Sequence, residues 1–201
     1  PSFSIALSAP VCYTEENRKE VNFVYKTLND HYREKFGCKV YKLAIDGGFT
    51  CPNRDGTCGE RGCIFCSGEG SGEFAEKGSS IAHQLEQAKK RVLAKNKAGK
   101  FIAYFQSFTN TYAPLERLEK IYSEAISPDY IVGLSIATRP DCLPDDVLEL
   151  LGELNKIKPI WVELGLQTIH EDTSKLINRC HTLEQFDSMV EKLRKRHINV
   201  V

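Results

Sequence analysis

The residues best suited to chemistry in this 201-residue chain are four cysteines in the stretch CPNRDGTCGERGCIFC, residues 51–66. Cys63 and Cys66 form a C-x2-C pair, a spacing that lets two thiolates reach the same metal ion or cluster. Cys51 and Cys58 lie 12 and 5 positions before Cys63. The pattern predicts a metal site, and the spacing by itself does not decide which metal it binds.

Three kinds of metal site are compatible with this spacing. Four thiolates are a common ligand set of tetrahedral structural zinc. The spacing Cys58-x4-Cys63-x2-Cys66 is that of plant-type [2Fe–2S] proteins, which take a fourth cysteine from elsewhere in the chain. Three ligands would instead leave one iron of a [4Fe–4S] cluster open for a small molecule. A zinc-binding module and an electron-transfer protein therefore stand as alternatives to an enzyme.

Composition and charge narrow the class of protein. Basic and acidic residues each number 27, so the formal net charge is zero, and the chain lacks the general basic surplus of many nucleic-acid-binding proteins. No run approaches the roughly 18 apolar residues of a membrane span, and we therefore expect no membrane association and a cytoplasmic protein. Disulfides rarely persist in that compartment, which makes metal or cluster binding the better explanation for eight cysteines.

Strand-like and helical segments alternate along the chain and must position these cysteines. Residues 1–20 show no clear pattern and are expected to be a leader, followed by a helix at 21–36 and a strand at 39–45. This alternation predicts parallel strands covered by helices, in an α/β domain. The other predicted elements are helices at 80–95, 114–126, 145–157 and 182–197, and strands at 101–108, 130–138, 159–168 and 198–201.

Polar side chains cluster where the predicted strands end. Ligand sites of α/β sheets and barrels lie at the carboxyl ends of parallel strands. Because the cysteine loop follows the first strand, it lies at that same end. The sequence therefore predicts one site that combines the cysteines with these polar residues. They are Gln106, Ser107, Ser135, Thr138, Arg139, Glu163 and Gln167.

The cysteine stretch and the segments after it resemble the YhcC/YtqA-like branch of the radical S-adenosylmethionine (SAM) enzymes, which is related to the Elp3/MiaB group. The likeness rests on CPNRDGTCGERGCIFC followed by SGEGSGEF, and on YFQSFTNTYAP, VGLSIATRPDCLPD, WVELGLQT and INRCHT further along the chain. It implies a partial TIM-like (β/α)6 barrel. Residues 21–201 would be the N-terminal part of this core domain, truncated after about four βα units.

The resemblance implies an oxidoreductase or transferase-type enzyme that uses a [4Fe–4S] cluster to cleave SAM and form a 5′-deoxyadenosyl radical. The family's cysteine pattern has a long first gap, which this chain matches as Cys51-x11-Cys63-x2-Cys66. These three cysteines would bind the cluster, and Cys58 would have no ligand role. The fourth iron would then be the one that binds the amine and carboxylate of SAM.

The resemblance also implies the SAM contacts. Phe65 would pack on the adenine, and Arg179 would make a forked, charge-assisted contact with the methionine carboxylate. His181, in the same INRCHT segment, is expected to cap the last predicted helix rather than take part in chemistry. The remaining implied contacts are Gln106 and Ser107 to the methionine amine, Ser135 and Thr138 near the ribose, and Glu163 and Gln167 to its hydroxyls.

The same family implies the partners of the protein. They are SAM, tRNA as the substrate, and a reductant such as flavodoxin or ferredoxin. The implied reacting group is the side chain of a modified wobble uridine. In the sequence itself, local basic stretches at 89–100 and 192–197 are the features that favour a contact with phosphate.

Overall fold

The computed structural model describes residues 26–78, 80–97 and 99–201, so the predicted leader and the start of the first predicted helix lie outside the described residues. Five strands form one open sheet, in which they follow one another in chain order and each neighbouring pair is parallel. This arrangement confirms the predicted partial barrel. The strands are β1 (Val40–Ile45), β2 (Lys100–Phe105), β3 (Ile131–Thr138), β4 (Ile160–Leu164) and β5 (Asn199–Val200).

Helices lie between successive strands, as the sequence pattern predicted. One short helix, α5, was not predicted. Among the described residues, no helix combines the length and the apolar character that a membrane crossing requires. The helices are α1 (Leu28–Phe36), α2 (Ile81–Leu93), α3 (Leu115–Ile126), α4 (Asp145–Ile157), α5 (Glu171–Leu176) and α6 (Leu183–Lys195).

Side-chain caps fix where three of these helices begin, α1 with Thr27, α2 and α6. A hydroxyl oxygen at the N-cap accepts a hydrogen bond from a backbone N–H that the first helical turn leaves free. Ser80 accepts in this way from the His83 N–H at the start of α2. At the start of α6, Thr182 accepts from the Gln185 N–H, and the Gln185 side chain accepts from the Thr182 N–H. The expectation that His181 caps this helix is therefore wrong, because the cap is the next residue.

The two faces of the sheet carry separate apolar clusters. Alternate strand residues point to opposite faces, and the large cluster that includes Leu43 and Phe105 packs against α2, α3, α4 and α6. On the inner face, Trp161 lies edge-on to Tyr32 of α1, with 6.0 Å between the ring centroids. Since Trp161 is near the start of β4, α1 covers the amino-terminal end of the inner face. The carboxyl ends of the strands are left to form a site.

Candidate functional site

A cavity of about 350 Å³ opens at the carboxyl ends of the strands. Its wall combines the loop after β1 with residues at the ends of β2, β3 and β4. The volume lies within the range of small-molecule sites, about 300–1,000 Å³. The predicted site residues on this wall are Cys51, Cys63, Phe65, Cys66, Gln106, Thr138, Arg139, Glu163, Gln167 and Arg179.

Two predicted residues, Ser107 and Ser135, are fully buried beside the cavity rather than on its wall. Ser135 donates its hydroxyl to the Glu163 carboxylate and so acts on the site through that group. The Ser107 hydroxyl has no hydrogen-bond partner in the described residues, and it lies against the backbone of Gly72. Both serines therefore pack behind the residues that line the cavity and do not line it themselves.

The loop after β1 brings Cys51, Cys63 and Cys66 to the cavity and places Cys58 elsewhere. The Cys66 N–H donates to the Cys63 carbonyl at 3.0 Å, which closes the C-x2-C turn. Cys58 is exposed and lines a different cavity, which also contains Cys142. Three of the four thiols in the stretch therefore share one wall, and the fourth does not.

Two asparagines that the sequence interpretation missed hold this loop in place. Asn53 Nδ2 donates to the Asn178 carbonyl at 2.7 Å and to Cys63 Sγ at 3.3 Å. Asn178 Nδ2 donates in return to the Gly62 carbonyl at 2.8 Å. These contacts join segments 125 positions apart, so no local pattern could indicate them. The only available signal was that both asparagines fall inside the motif stretches quoted above.

Arg54 and Ser71 set the electrostatics around the C-x2-C turn. Arg54 Nη2 donates to the Cys66 carbonyl at 3.2 Å, and its guanidinium lies 5.5 Å from the centroid of the Phe108 ring. The pKa of the Cys66 thiol is lowered, first by the neighbouring Cys63 thiol and further by Ser71 and Arg54, against the opposing effect of burial. The thiolate is the form of cysteine that binds metals, and the environment favours it at Cys66, whereas the Cys66 thiol and burial raise the pKa of Cys63.

The donor set of the cavity fits an iron–sulfur cluster. Such clusters are held by cysteine thiolates, and three thiols lie on one wall. A structural zinc would need four protein ligands, whereas the fourth cysteine of the stretch lines another cavity. Within the described residues, no three His, Cys, Asp or Glu side chains are grouped as a preformed site for a single metal ion.

Glu163 is the carboxylate of the cavity wall, and Lys42 on β1 forms an ion pair with it. Ser135 donates to the same oxygen, Oε1. Lys42 Nζ also lies 4.4 Å from the centroid of the Tyr104 ring. Burial raises the pKa of Glu163, but the bonds from Lys42 and Ser135 outweigh it, and the net pKa is lowered. Glu163 is therefore an ionised hydrogen-bond acceptor at neutral pH.

We expect Lys42→Met to lower the free energy of unfolding by about 1–2 kcal/mol, because it leaves a half-buried carboxylate without its cation. The effect is smaller than for a fully buried pair, since the Lys42 side chain is 33% exposed. Urea unfolding at pH 7 measures it. Lys156→Met, which breaks an exposed pair with Glu153, is the control and should have little effect. Equal losses in the two variants would contradict the role given to Lys42.

Arg179 is buried, and backbone carbonyls already occupy most of its guanidinium. Nε and Nη2 donate to the His181 carbonyl at 3.0 and 2.7 Å. Nη1 donates to the carbonyls of Leu166, at 2.8 Å, and Thr168. Of the five N–H groups of arginine, one on Nη2 then remains for a ligand. That is one fewer than the forked contact implied by the resemblance would use.

The glycine-rich loop after Cys66 approaches β2 so closely that a side chain would not fit. A Cβ added to Gly72 would lie 1.9 Å from Ser107 Oγ and 3.0 Å from its Cα. Beside it, Gln106 Nε2 donates to the Ser71 carbonyl at 2.8 Å. The loop therefore forms one side of the cavity by direct contact between its backbone and the end of β2.

We expect Gly72→Ala to lower the free energy of unfolding by about 2 kcal/mol, the scale of an overpacked site. Thermal unfolding of the purified protein measures this loss. Gly68→Ala, in the same loop, is the matched control, because nothing lies within 4 Å of the added Cβ. A Gly68→Ala variant as unstable as Gly72→Ala would show that the contact with Ser107 is not the cause.

Comparison with known proteins matches most of the chain to one superfamily. The family model described as "Radical SAM superfamily" matches residues 55–201. The chain is 55% identical over 177 residues to YtqA of Bacillus subtilis (strain 168), and this match covers 88% of the chain and 55% of YtqA. It is 43% identical over 167 residues to YhcC of Escherichia coli (strain K12), covering 83% and 53%. The chain thus spans about half the length of these curated relatives.

A solved structure shares the fold. It is that of the archaeal Methanocaldococcus infernus Elp3 with an N-terminal deletion (1–46). The TM-score is 0.50 at 18% sequence identity, and the match covers 80% of this chain and 36% of that chain. At this identity the likeness concerns the fold, and it agrees with the open parallel sheet described above.

Proposed function

The chain belongs to the radical SAM superfamily, and on that premise we propose that it binds a [4Fe–4S] cluster and SAM as part of an enzyme. The observation that carries the proposal is the wall shared by Cys51, Cys63 and Cys66 at the carboxyl ends of the strands. Three protein thiolates would leave one iron for SAM. When bound, the cluster supplies the electron that splits SAM into methionine and a 5′-deoxyadenosyl radical, which abstracts hydrogen from the substrate.

The residues on the cavity wall would bind and orient SAM and keep water from it. Phe65, about half exposed, would lie against the adenine ring. Glu163, which Lys42 keeps ionised, would accept hydrogen bonds from the ribose hydroxyls, with Gln167 beside it. These groups are of the kinds that fix a small molecule in a mostly apolar pocket, namely a few polar atoms among larger side chains.

The methionine end of SAM would contact the other side of the cavity. Gln106 uses its amide nitrogen to bind the Ser71 carbonyl, so its side-chain oxygen would face the methionine amine. Arg179 would offer its remaining N–H to the carboxylate. Thr138, hydrogen-bonded to Thr111 at 2.6 Å, would stand near the ribose. Ser107 and Ser135 would act from behind the wall rather than by direct contact.

Anaerobic reconstitution of the full-length protein tests this function. We expect about four irons and four sulfides per chain, a change in the spectrum of the reduced cluster when SAM is added, and release of 5′-deoxyadenosine with a strong reductant. Absence of iron with one tightly bound zinc would favour the zinc-binding module. Two irons with no response to SAM would favour the [2Fe–2S] electron-transfer protein.

For the substrate we propose tRNA, with reaction at the side chain of a modified wobble uridine, and for the reductant a flavodoxin or ferredoxin of the cytoplasm. The support for tRNA is the family resemblance. Exposed Arg194 and Lys195 in the last turn of α6 add local positive charge to a chain of zero net charge, so we expect modest RNA affinity with a weak salt dependence. A base must leave its stack to reach such a cavity.

Deletion of the gene, followed by mass spectrometry of tRNA nucleosides, tests the substrate. We expect the mature wobble modification to decrease and its precursor to accumulate. Unchanged modifications in a strain that makes the precursor and has no redundant enzyme would remove the tRNA proposal. The proposal of cluster and SAM binding would be unaffected by that result.

A further inference from the structure

His181 lies on the wall of the proposed SAM cavity as a buried side chain without hydrogen bonds. The residue is 7% exposed, and neither Nδ1 nor Nε2 has a partner in the described residues. It borders both the main cavity and the neighbouring one beside α5. Native proteins leave few buried polar atoms unbonded, and a polar atom of this kind beside a cavity is suited to bind a ligand there.

The polar groups around His181 bind one another and leave the imidazole ring out. Arg139 donates from Nε and Nη2 to the Asp141 carboxylate at 2.9 and 2.7 Å, and from Nη1 to the Arg179 carbonyl at 3.1 Å. Arg179 donates to the backbone carbonyl of His181, not to its ring. The backbone of Gly165 approaches the ring without forming a hydrogen bond of acceptable geometry. The backbone of His181 is thus fixed while its ring nitrogens stay available.

The surroundings also determine the protonation state in which the imidazole would contact a ligand. Burial lowers the pKa of His181 to about 4, and the nearby Arg179 guanidinium contributes to this decrease against the opposing charge of Asp141. A neutral imidazole offers one N–H donor and one acceptor nitrogen. Hydroxyl groups and the ring nitrogens of a nucleobase complement that pair of atoms, whereas an ammonium or sulfonium group beside two guanidinium groups would be repelled.

We propose that His181 is a SAM-binding residue that forms a hydrogen bond with the adenosine part of the molecule. The inference rests on the proposed function, since it takes SAM as the occupant of the cavity. Its placement follows from Gly165 at the end of β4, whose backbone approaches the ring and which lies in the chain between Glu163 and Gln167 on the same wall. Because Glu163 and Gln167 are the residues proposed for the ribose, the proposal places the imidazole at the adenosine part of SAM.

Binding of the two halves of SAM tests this placement without turnover. Equilibrium dialysis of 5′-deoxyadenosine and of methionine is done with the reconstituted full-length protein and its variants. His181→Leu is expected to weaken 5′-deoxyadenosine binding about tenfold, the loss of one well-placed hydrogen bond, and to leave methionine binding unchanged. His181→Gln, whose amide donates and accepts, should retain most of the affinity. His170→Leu, at an exposed site outside the cavity, should have no effect.

Stability without ligand provides the second readout. Because leucine fills similar space without unbonded polar atoms, His181→Leu is expected to unfold at the same or a higher temperature than wild type. A marked decrease would assign His181 a structural role and overturn the inference, as would equal binding of 5′-deoxyadenosine by wild type and His181→Leu. A wild-type protein that binds neither iron nor SAM would instead refute the proposed function, and the inference with it.

Discussion

Replacing Cys63 with alanine is expected to abolish the reconstituted cluster, whereas Cys58→Ala is expected to leave iron content and the response to SAM intact. Cys63 shares a cavity wall with two other thiols, while Cys58 is exposed on a different cavity. Thiolate bonds hold the cluster, and losing one of only three protein ligands leaves too few of them. Cys51→Ala and Cys66→Ala should behave as Cys63→Ala.

The measurement is the amount of iron and sulfide per chain after anaerobic reconstitution, together with the spectrum of the reduced cluster. Cys58→Ala is the matched control, because it removes a thiol from the same loop five positions earlier. If it lost iron as completely as Cys63→Ala, the ligand set would contain four cysteines. The zinc and [2Fe–2S] interpretations would then replace the proposed function.

The sequence predicted the fold well because strand and helix periodicities are local properties. Two strands were predicted to end later than they do. The predictions were 108 and 168, whereas β2 ends at Phe105 and β4 ends at Leu164. Apolar residues continue past both ends in the sequence. Neither predicted strand could include its whole range, because Phe108 and Gln167 have positive φ angles of 62° and 68°, a conformation that non-glycine residues rarely adopt and that no pattern of apolar residues reveals.

The arrangement of the site was less predictable, because it depends on pairs of distant residues. Glu163 could be predicted as a polar residue at a strand end, but its partner Lys42 is 121 positions away and looks like any lysine in a strand. Arg179 was predicted to bind a ligand, and only the structure shows that carbonyls of its own neighbourhood occupy most of its donors. A residue type indicates what a side chain can bond, and its neighbours determine what it does bond.

The ligand-free protein is expected to lose stability as the pH falls from about 6.5 to about 4, because of His181. Burial, then the charge of Arg179, and to a smaller extent Arg139, lower its pKa from 6.5 to about 4 against the opposing effect of Asp141. Between these values the unfolded chain binds a proton that the folded chain does not. The free energy of unfolding therefore decreases as the pH falls across this window, by roughly 3 kcal/mol in total. Above pH 6.5 this histidine contributes no pH dependence.

Urea unfolding at several pH values between 7 and 5 isolates this effect from the carboxyl groups. The pKa of Glu163 is lowered from 4.5, so its stabilising contribution is present above that value and is lost only as the pH falls further. His181→Leu should flatten the decrease between pH 6.5 and 5, while the exposed His170→Leu should keep the wild-type slope. An unchanged slope in His181→Leu would mean that the imidazole gains a proton as readily in the folded chain as in the unfolded one. That result could not be reconciled with a buried ring whose nitrogens are neutral, unbonded and available to a ligand.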